Sequence, residues 1–243
     1  MRGKLKVEET YLDCLAEYGV SGAHPGSLAL TKDILSHEKM NSRSKILDAG
    51  CGTGQTAAYL YNEYKADVTA LDLHPIMIEK AKKRLTGLPI HVLQGNVECL
   101  NLEPDSFDIV LSESVLAFTE LRKSLKSIKR VLKKDGLLLA IEMVLEEQLS
   151  PVECEELKIF YGLPQLLEED EWIAALKKFG LRDVRASTWQ LKQESEALTF
   201  EDTPEFILSE NISEKNMTLL ETHFKLKEAY ENVLGFRLFR CKR

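Results

Sequence analysis

The chain has 243 residues, 44% of them apolar and 29% charged, with a formal net charge of −7. A chain of this size and composition can bury its own apolar core without disulfide staples, and its acidic balance repels a phosphate backbone, so no nucleic-acid partner is expected. The cysteines (Cys14, Cys51, Cys99, Cys154, Cys241) and the histidines are scattered, with no CxxC pair and no metal-ligand spacing, so no metal is expected and reduced thiols in a cytoplasmic protein are the simplest reading.

Residues 1–44 read as mixed, largely helical sequence broken by Gly19, Gly22, Pro25 and Gly26, and the opening MRGKLKVEET lacks the apolar core of a signal peptide. From Lys45 strands and helices alternate. Lys45–Ala49 is a short apolar strand ending in a glycine turn, and Gln55–Tyr64 follows as a helix. Asp67–Leu71 is the second strand. Pro75–Leu85 is a helix with Ile76, Met77, Ile78 and Ala81 available for its buried side. Ile90–Leu93 and Phe107–Leu111 are the third and fourth strands. Leu121, Leu125, Ile128 and Leu132 recur at helical spacing; Lys133 and Lys134 are placed in that helix's last turn and Gly136 closes it. Leu137–Ile141 is apolar throughout, as a central parallel strand should be. Run on to Leu145, this stretch is too short to span a bilayer and carries Glu142.

Such alternation predicts a parallel sheet covered on both faces. Beyond it, Glu171–Phe179 reads as a helix capped by Gly180, Arg182–Trp189 and Phe236–Cys241 as strands, and Met217–Leu234 as a helix between them. The basic tail from Arg237 to Arg243 reads as an edge strand guarded by charge. The whole chain, 1–243, is expected to be a single domain.

The strongest motif is Ile46-Leu47-Asp48-Ala49-Gly50-Cys51-Gly52-Thr53-Gly54. A buried strand runs into three glycines at alternate positions, and a helix starts at Gln55. Ligands of open α/β sheets bind at the carboxyl ends of the strands, and glycine there lets the backbone approach them closely. The helix start that follows offers free N–H groups and partial positive charge, which suits a carboxylate. A dinucleotide loop, G-x-G-x-x-G, needs a small residue where Gln55 stands, which speaks against an NAD-dependent oxidoreductase. Three further pieces follow in order. Asp72, with Leu73 after it, ends the second strand, where a carboxylate can accept from both ribose hydroxyls; it can equally cap the helix at Pro75. Gly95-Asn96-Val97-Glu98 follows the third strand. Phe107-Asp108-Ile109-Val110-Leu111-Ser112-Glu113 forms the fourth strand and its turn.

These pieces, over roughly residues 45–142, together with Arg130–Leu139, resemble the class I S-adenosylmethionine-dependent methyltransferases, in particular small-molecule methyltransferases. The resemblance implies a doubly wound, mostly parallel, seven-stranded Rossmann-like sheet with the last strand antiparallel. It implies an N-terminal helical lid over 1–44, a cofactor-binding core over 45–142 and a helical insertion over 190–234 that shapes the substrate site. It implies S-adenosylmethionine as cofactor and S-adenosylhomocysteine as product. The cofactor would be held by Asp48, Gly50, Cys51, Gly52, Gly54, Gln55, Asp72, Leu73, Asn96, Val97 and Ser112. Asn96 stands where the family usually has Asp, and keeps an acceptor for the adenine amino group.

Methyl transfer is a displacement that the cofactor drives and the protein positions, so a catalytic base is not required. The candidates are Glu113 and Glu142, ending the fourth and fifth strands, and His24 in the Gly22–Ser27 stretch, which resembles a lid segment. Each has a plain alternative: a helix cap or solvated residue for Glu113, a salt bridge at the sheet edge for Glu142, and a turn before a helix capped at Ser27 for His24. Tyr161, Tyr11 and Tyr18 are candidates to line the pocket. The acceptor is expected to be a small molecule with N, O or C as nucleophile, and the chain a monomer or homodimer. A non-catalytic cofactor-binding regulator on the same fold is the competing reading.

Overall fold

The structure, a computed structural model, describes residues 9–188 and 205–243. The elements in order are α1 (Tyr11–Tyr18), α2 (Ser27–Ser36), β1 (Lys45–Ala49), α3 (Gln55–Tyr64), β2 (Asp67–Asp72), α4 (Pro75–Arg84), β3 (His91–Gln94), β4 (Phe107–Glu113), α5 (Leu121–Val131), β5 (Leu132–Leu145), α6 (Pro151–Tyr161), α7 (Glu169–Lys178), β6 (Arg182–Ser187), α8 (Glu214–Ala229) and β7 (Leu234–Lys242). Two short 3-10 turns, Val97–Cys99 and Leu116–Phe118, follow β3 and β4.

The strands form one sheet in the order β3-β2-β1-β4-β5-β7-β6. β1 pairs in parallel with β2 and β4, and β5 with β4, whereas β7 runs antiparallel to both β5 and β6. The seven-stranded, Rossmann-like arrangement with its last strand reversed is the one expected. Alternate residues of the central strands feed two separate cores. Leu47, Val110, Leu138 and Phe239 face α5 and α7. Ile46, Ile109, Leu139 and Leu238 face α2 and α3. Amphipathic α5 buries Leu121, Leu125, Ile128 and Val131, each contributing about 1.5–3 kcal/mol as apolar surface leaves water.

Several boundaries differ from expectation. Leu132 leaves the helix and pairs with Phe107, so Lys133 and Lys134 belong to β5 and not to the last turn of α5. Lys129 and Arg130 occupy that turn instead, and the Lys133 ammonium sits 2.8 Å from both oxygens of Asp108. Ser27 is inside α2; the cap position is Gly26, in the left-handed region at φ 77°, with no side-chain cap bond. Leu234 is the first residue of β7, paired with Leu145, and the helix before it ends at Ala229. The basic tail is not an edge strand: β7 lies between β5 and β6. Its arginines meet acids, Arg237 with Glu146 and Glu169, Arg240 with Glu38, and Arg243 with Asp105. Trp189, the first part of the 190–234 insertion and residues 1–8 of the N-terminal segment lie outside the described residues.

Candidate active site

The glycine-rich loop leaves β1 between β2 and β4. Gly50 and Cys51 donate their N–H groups to Leu71 O at 2.7 and 2.9 Å, so the loop is pinned to the end of β2. Gly50, Gly52 and Gly54 all have positive φ. A Cβ on Gly50 would lie 2.2 Å from Val115 Cγ2, whereas one on Gly52 would meet nothing within 4 Å. Gly50 is therefore glycine because of packing as well as φ, and Gly52 is the point of the loop that faces open space.

Asp72 holds this loop. Its Oδ2 accepts from Gly52 N at 2.9 Å and its Oδ1 from His74 N at 2.8 Å. Burial raises its pKa, opposed by the N–H groups of His74 and Gly52. The helix cap of α4 is His74, whose Nδ1 accepts from Ile76 N, and not Asp72. Leu73, next in line, is 61% exposed, an uncovered apolar side chain beside a carboxylate. Asn96 caps the turn Val97–Cys99, its Oδ1 accepting from Glu98 N at 2.8 Å, and Val97 is buried below it. The Gln55 side chain reaches across to the N-terminal segment, lying 3.3 Å from where Gly22 would carry a Cβ.

Asp48 is wholly buried and its Oδ2 has no hydrogen-bond partner. Its pKa is pushed well up by burial, then by the neighbouring carboxyls of Glu113 and Asp72. Three acidic side chains converge on the glycine loop, so a positively charged group arriving there would favour their ionised forms. Burial also pushes the Cys51 thiol up, so Cys51 serves the loop as a small apolar residue.

His24 and Glu113 are brought together. Glu113 is neither solvated nor a helix cap: its oxygens accept from Thr31 Oγ1 at 2.5 Å and Thr56 Oγ1 at 2.9 Å. His24 Nε2 lies 3.6 Å from Glu113 Oε1, with both side chains under a tenth exposed. The cluster ties α2 and the turn before it to α3 and the end of β4. Glu142 stands apart from it and is completely buried. It makes no salt bridge; it accepts from Ser112 Oγ (3.3 Å), Val115 N (3.3 Å), Leu116 N (2.9 Å) and Ala117 N (3.1 Å). Burial pushes its carboxyl up to about 7 against those four donors. Glu142 and the buried Ser112 thus shape the turn after β4 from below.

A cover closes over these strand ends. Lys80 of α4, only 6% exposed, donates to Ala16 O (2.7 Å) and Glu17 O (2.9 Å), holding the carboxyl end of α1. Asp13 Oδ1 meets His74 Nε2 at 3.1 Å. Ser21 Oγ meets Thr53 Oγ1 at 2.6 Å, and Arg84 donates to both Ser21 Oγ and Thr53 O. Residues 205–209 run beside 17–21 through Ser21 N–Glu205 O, Ile207 N–Gly19 O and Ser209 N–Glu17 O bonds. Helix α8 packs against α1. None of Lys80, Arg84, Thr31, Thr56 or Ser21 was singled out by sequence. The readable signal was in α4, where Lys80 and Arg84 fall on the helical face of Met77 and Ala81.

Comparison with known proteins decides the family. A methyltransferase of Bacillus subtilis, named YodH and described as uncharacterized, is 42% identical over 231 residues, covering 94% of this chain and 97% of its own. The methyltransferase-domain family matches residues 47–140. The chain belongs to the class I S-adenosylmethionine-dependent methyltransferases. This methyltransferase is also 36% identical over 107 residues to a malonyl-[acyl-carrier protein] O-methyltransferase of Priestia megaterium, across 43% of this chain and 39% of that one. Among solved structures, phosphoethanolamine N-methyltransferase 2 of Haemonchus contortus, in complex with S-adenosyl-L-methionine, matches 98% of the chain with a TM-score of 0.75 and 19% identity. The chain spans 58% of that longer protein. A putative sarcosine dimethylglycine methyltransferase of Galdieria sulphuraria matches 88% of this chain and 84% of its own with a TM-score of 0.70 and 16% identity. Both likenesses are of fold. Among the described residues of this methyltransferase no helix is long and apolar enough to cross a membrane.

The residues fit the family's cofactor. Among the described residues Asp48 Oδ2 is a buried oxygen without a partner, Asp72 is a carboxyl at the end of β2 bonded to the glycine loop, Leu73 beside it is an exposed apolar side chain, and Gly52 faces open space.

Proposed function

We propose that this methyltransferase acts on a small-molecule acceptor, and that the site residues divide into cofactor holders and positioning residues. The observation that carries the proposal is the cover: α1, the turn at Ser21 and residues 205–209 are tied by side-chain and main-chain bonds to one another, to the glycine loop and to α4. Strand ends covered in this way suit a ligand that is enclosed, and a polymer needs an open groove. The net charge of −7 also disfavours nucleic acid. One relative, of Plasmodium falciparum, carries the name phosphoethanolamine N-methyltransferase, which supports the same reading.

In this reading Asp72 accepts from the ribose hydroxyls once they compete with Gly52 N–H, Asn96 and Val97 face the adenine edge, and Leu73 covers the ring. Asp48 faces the amino group, directly or through water. Gly50, Cys51, Gly52, Gly54 and Gln55 supply main-chain N–H groups and the helix start. Ser112 contributes its main chain, since its hydroxyl serves Glu142. S-adenosylmethionine supplies an activated methyl group. Glu113 and His24 position α2 against α3, and Glu142 positions the turn at Val115–Ala117; none is assigned as a base.

The test is to incubate the protein with methyl-labelled S-adenosylmethionine and a bacterial extract split into a small-molecule filtrate and retained macromolecules. Label is expected in the filtrate. Label confined to protein or RNA contradicts the proposal.

A further inference from the structure

The helix pair α1–α8 contains an unsatisfied polar seam. Asn216 is the one fully buried residue of α8, at 0% exposure, and neither its Oδ1 nor its Nδ2 has a partner. Across the seam, Cys14 of α1 donates its Sγ–H to the Asn216 main-chain oxygen at 3.3 Å. One turn further along α1, Glu17 also has a buried, unpartnered Oε2. Leaving one buried polar atom unpaired costs about 1–3 kcal/mol, and three such atoms lie on this one helix pair.

The side of this seam nearest α6 is aromatic. Tyr11 stacks edge-on to Tyr161 at 4.9 Å between centroids and lies 6.0 Å from Phe160 and 5.1 Å from His223. Tyr161 Oη and His223 Nδ1 are hydrogen-bonded at 3.1 Å. His223 lies two turns along α8 from Asn216, on the same face. Burial lowers the His223 pKa, helped by Lys227, so the ring is neutral near pH 7.

We propose that this seam is the acceptor-binding site and that it selects an amine, with Asn216 and Glu17 receiving its N–H groups against the Tyr11–Tyr161 aromatic wall; this rests on the small-molecule transferase reading above. The two unpaired side chains, Asn216 and Glu17, each offer an acceptor oxygen, and one of them is a carboxyl. A carboxylate or phosphate placed there would face the acid of Glu17 with only the Asn216 amide to donate to it. The nearby Lys80 ammonium is already engaged by Ala16 O and Glu17 O. A neutral amine supplies the missing N–H donors and keeps the lone pair that takes the methyl group, and the methylammonium it becomes is attracted by the aromatic faces. Thus α8, following the strand that a short hairpin would otherwise continue, is the element that sets acceptor class.

The test uses the whole protein, methyl-labelled S-adenosylmethionine and the same small-molecule filtrate. Unreacted S-adenosylmethionine, itself a cation, is first removed by chromatography, and labelled product is then sorted chemically: N-methylamines survive alkali and bind a cation exchanger, and methyl esters release volatile methanol in alkali. Label on the cation exchanger is expected. Asn216→Leu and Glu17→Gln should each raise the apparent KM for that fraction by roughly tenfold or more, the scale of a lost hydrogen bond to a charged group. S-adenosylhomocysteine affinity should be unchanged, which also shows that the variants fold. Alkali-released methanol, or either variant with wild-type KM, overturns the amine assignment while leaving the transferase reading intact. No transfer to any filtrate component overturns the reading on which it rests.

Discussion

At the scale of single residues, the site is built from acids whose burial is offset to different degrees. Glu142 has four donors and no solvent; Asp48 has an orphaned oxygen. Glu142 gives a pH signature. Its folded-state pKa, about 7, lies above the ordinary 4.5, so between those values the folded chain holds a proton that the unfolded chain has lost. Folding stability from this group is therefore complete below about pH 4.5 and falls as pH rises through 7. Glu142→Gln lacks that titration. The variant is destabilised at pH 5, because one of its amide hydrogens meets main-chain donors, and its deficit against wild type should shrink by on the order of 3 kcal/mol between pH 5 and pH 8. Denaturant unfolding at the two pH values measures this; a constant deficit would show that the carboxyl stays ionised throughout. Residues fixed by the glycine loop, such as Asp48 and Asp72, were legible because their spacing to the loop is local. Asn216 was not: a lone Asn inside a polar helix has no pattern, and only packing against α1 reveals it as buried. His223 escaped for the same reason.

At the scale of elements, strand–helix alternation placed β1 to β4 within a residue or two, since each helix has an apolar stripe and each strand a buried run; β5, expected over Leu137–Ile141, runs from Leu132 to Leu145. The misplacements came where two elements compete for one residue. Leu132 continues the helical spacing of α5, yet pairing with Phe107 draws it into β5. Helix α6 was missed although Ser150-Pro151-Val152-Glu153 forms a capping box with Pro at the first helical position; Val152 and Ile159 are exposed, so no apolar stripe advertised the helix. Helix α4 has the most consequential hidden role. Lys80 lies on its inner face and holds α1 by two main-chain oxygens. Lys80→Met keeps the aliphatic length and removes those donors. Amide hydrogens of 11–18 should then exchange faster while those of β1, β4 and β5 are unchanged, because the sheet does not depend on α1. Exchange unaltered over α1 would mean that Asp13–His74 and the α8 contacts hold the cover without Lys80.

At the scale of the molecule, the seven-stranded sheet and its reversed last strand were legible through the family resemblance carried by motifs between residues 45 and 142, whereas the strand order comes from the structure. The cover was not, because it joins residues far apart in sequence: Ser21 to Thr53, Arg84 to Glu205, Cys14 to Asn216. Such contacts follow from topology, not from periodicity. The account's central claim is that the glycine loop with Asp72 binds S-adenosylmethionine under this cover. Calorimetric titration of wild type and Asp72→Ala with S-adenosylhomocysteine and with NAD tests it most directly. Wild type should bind one S-adenosylhomocysteine per chain with micromolar affinity and show no heat with NAD. Asp72→Ala should bind S-adenosylhomocysteine more weakly by about 1.5–3 kcal/mol, the worth of hydrogen bonds to a charged group. Binding of NAD in place of S-adenosylhomocysteine, or an Asp72→Ala variant that binds as wild type does, would contradict it.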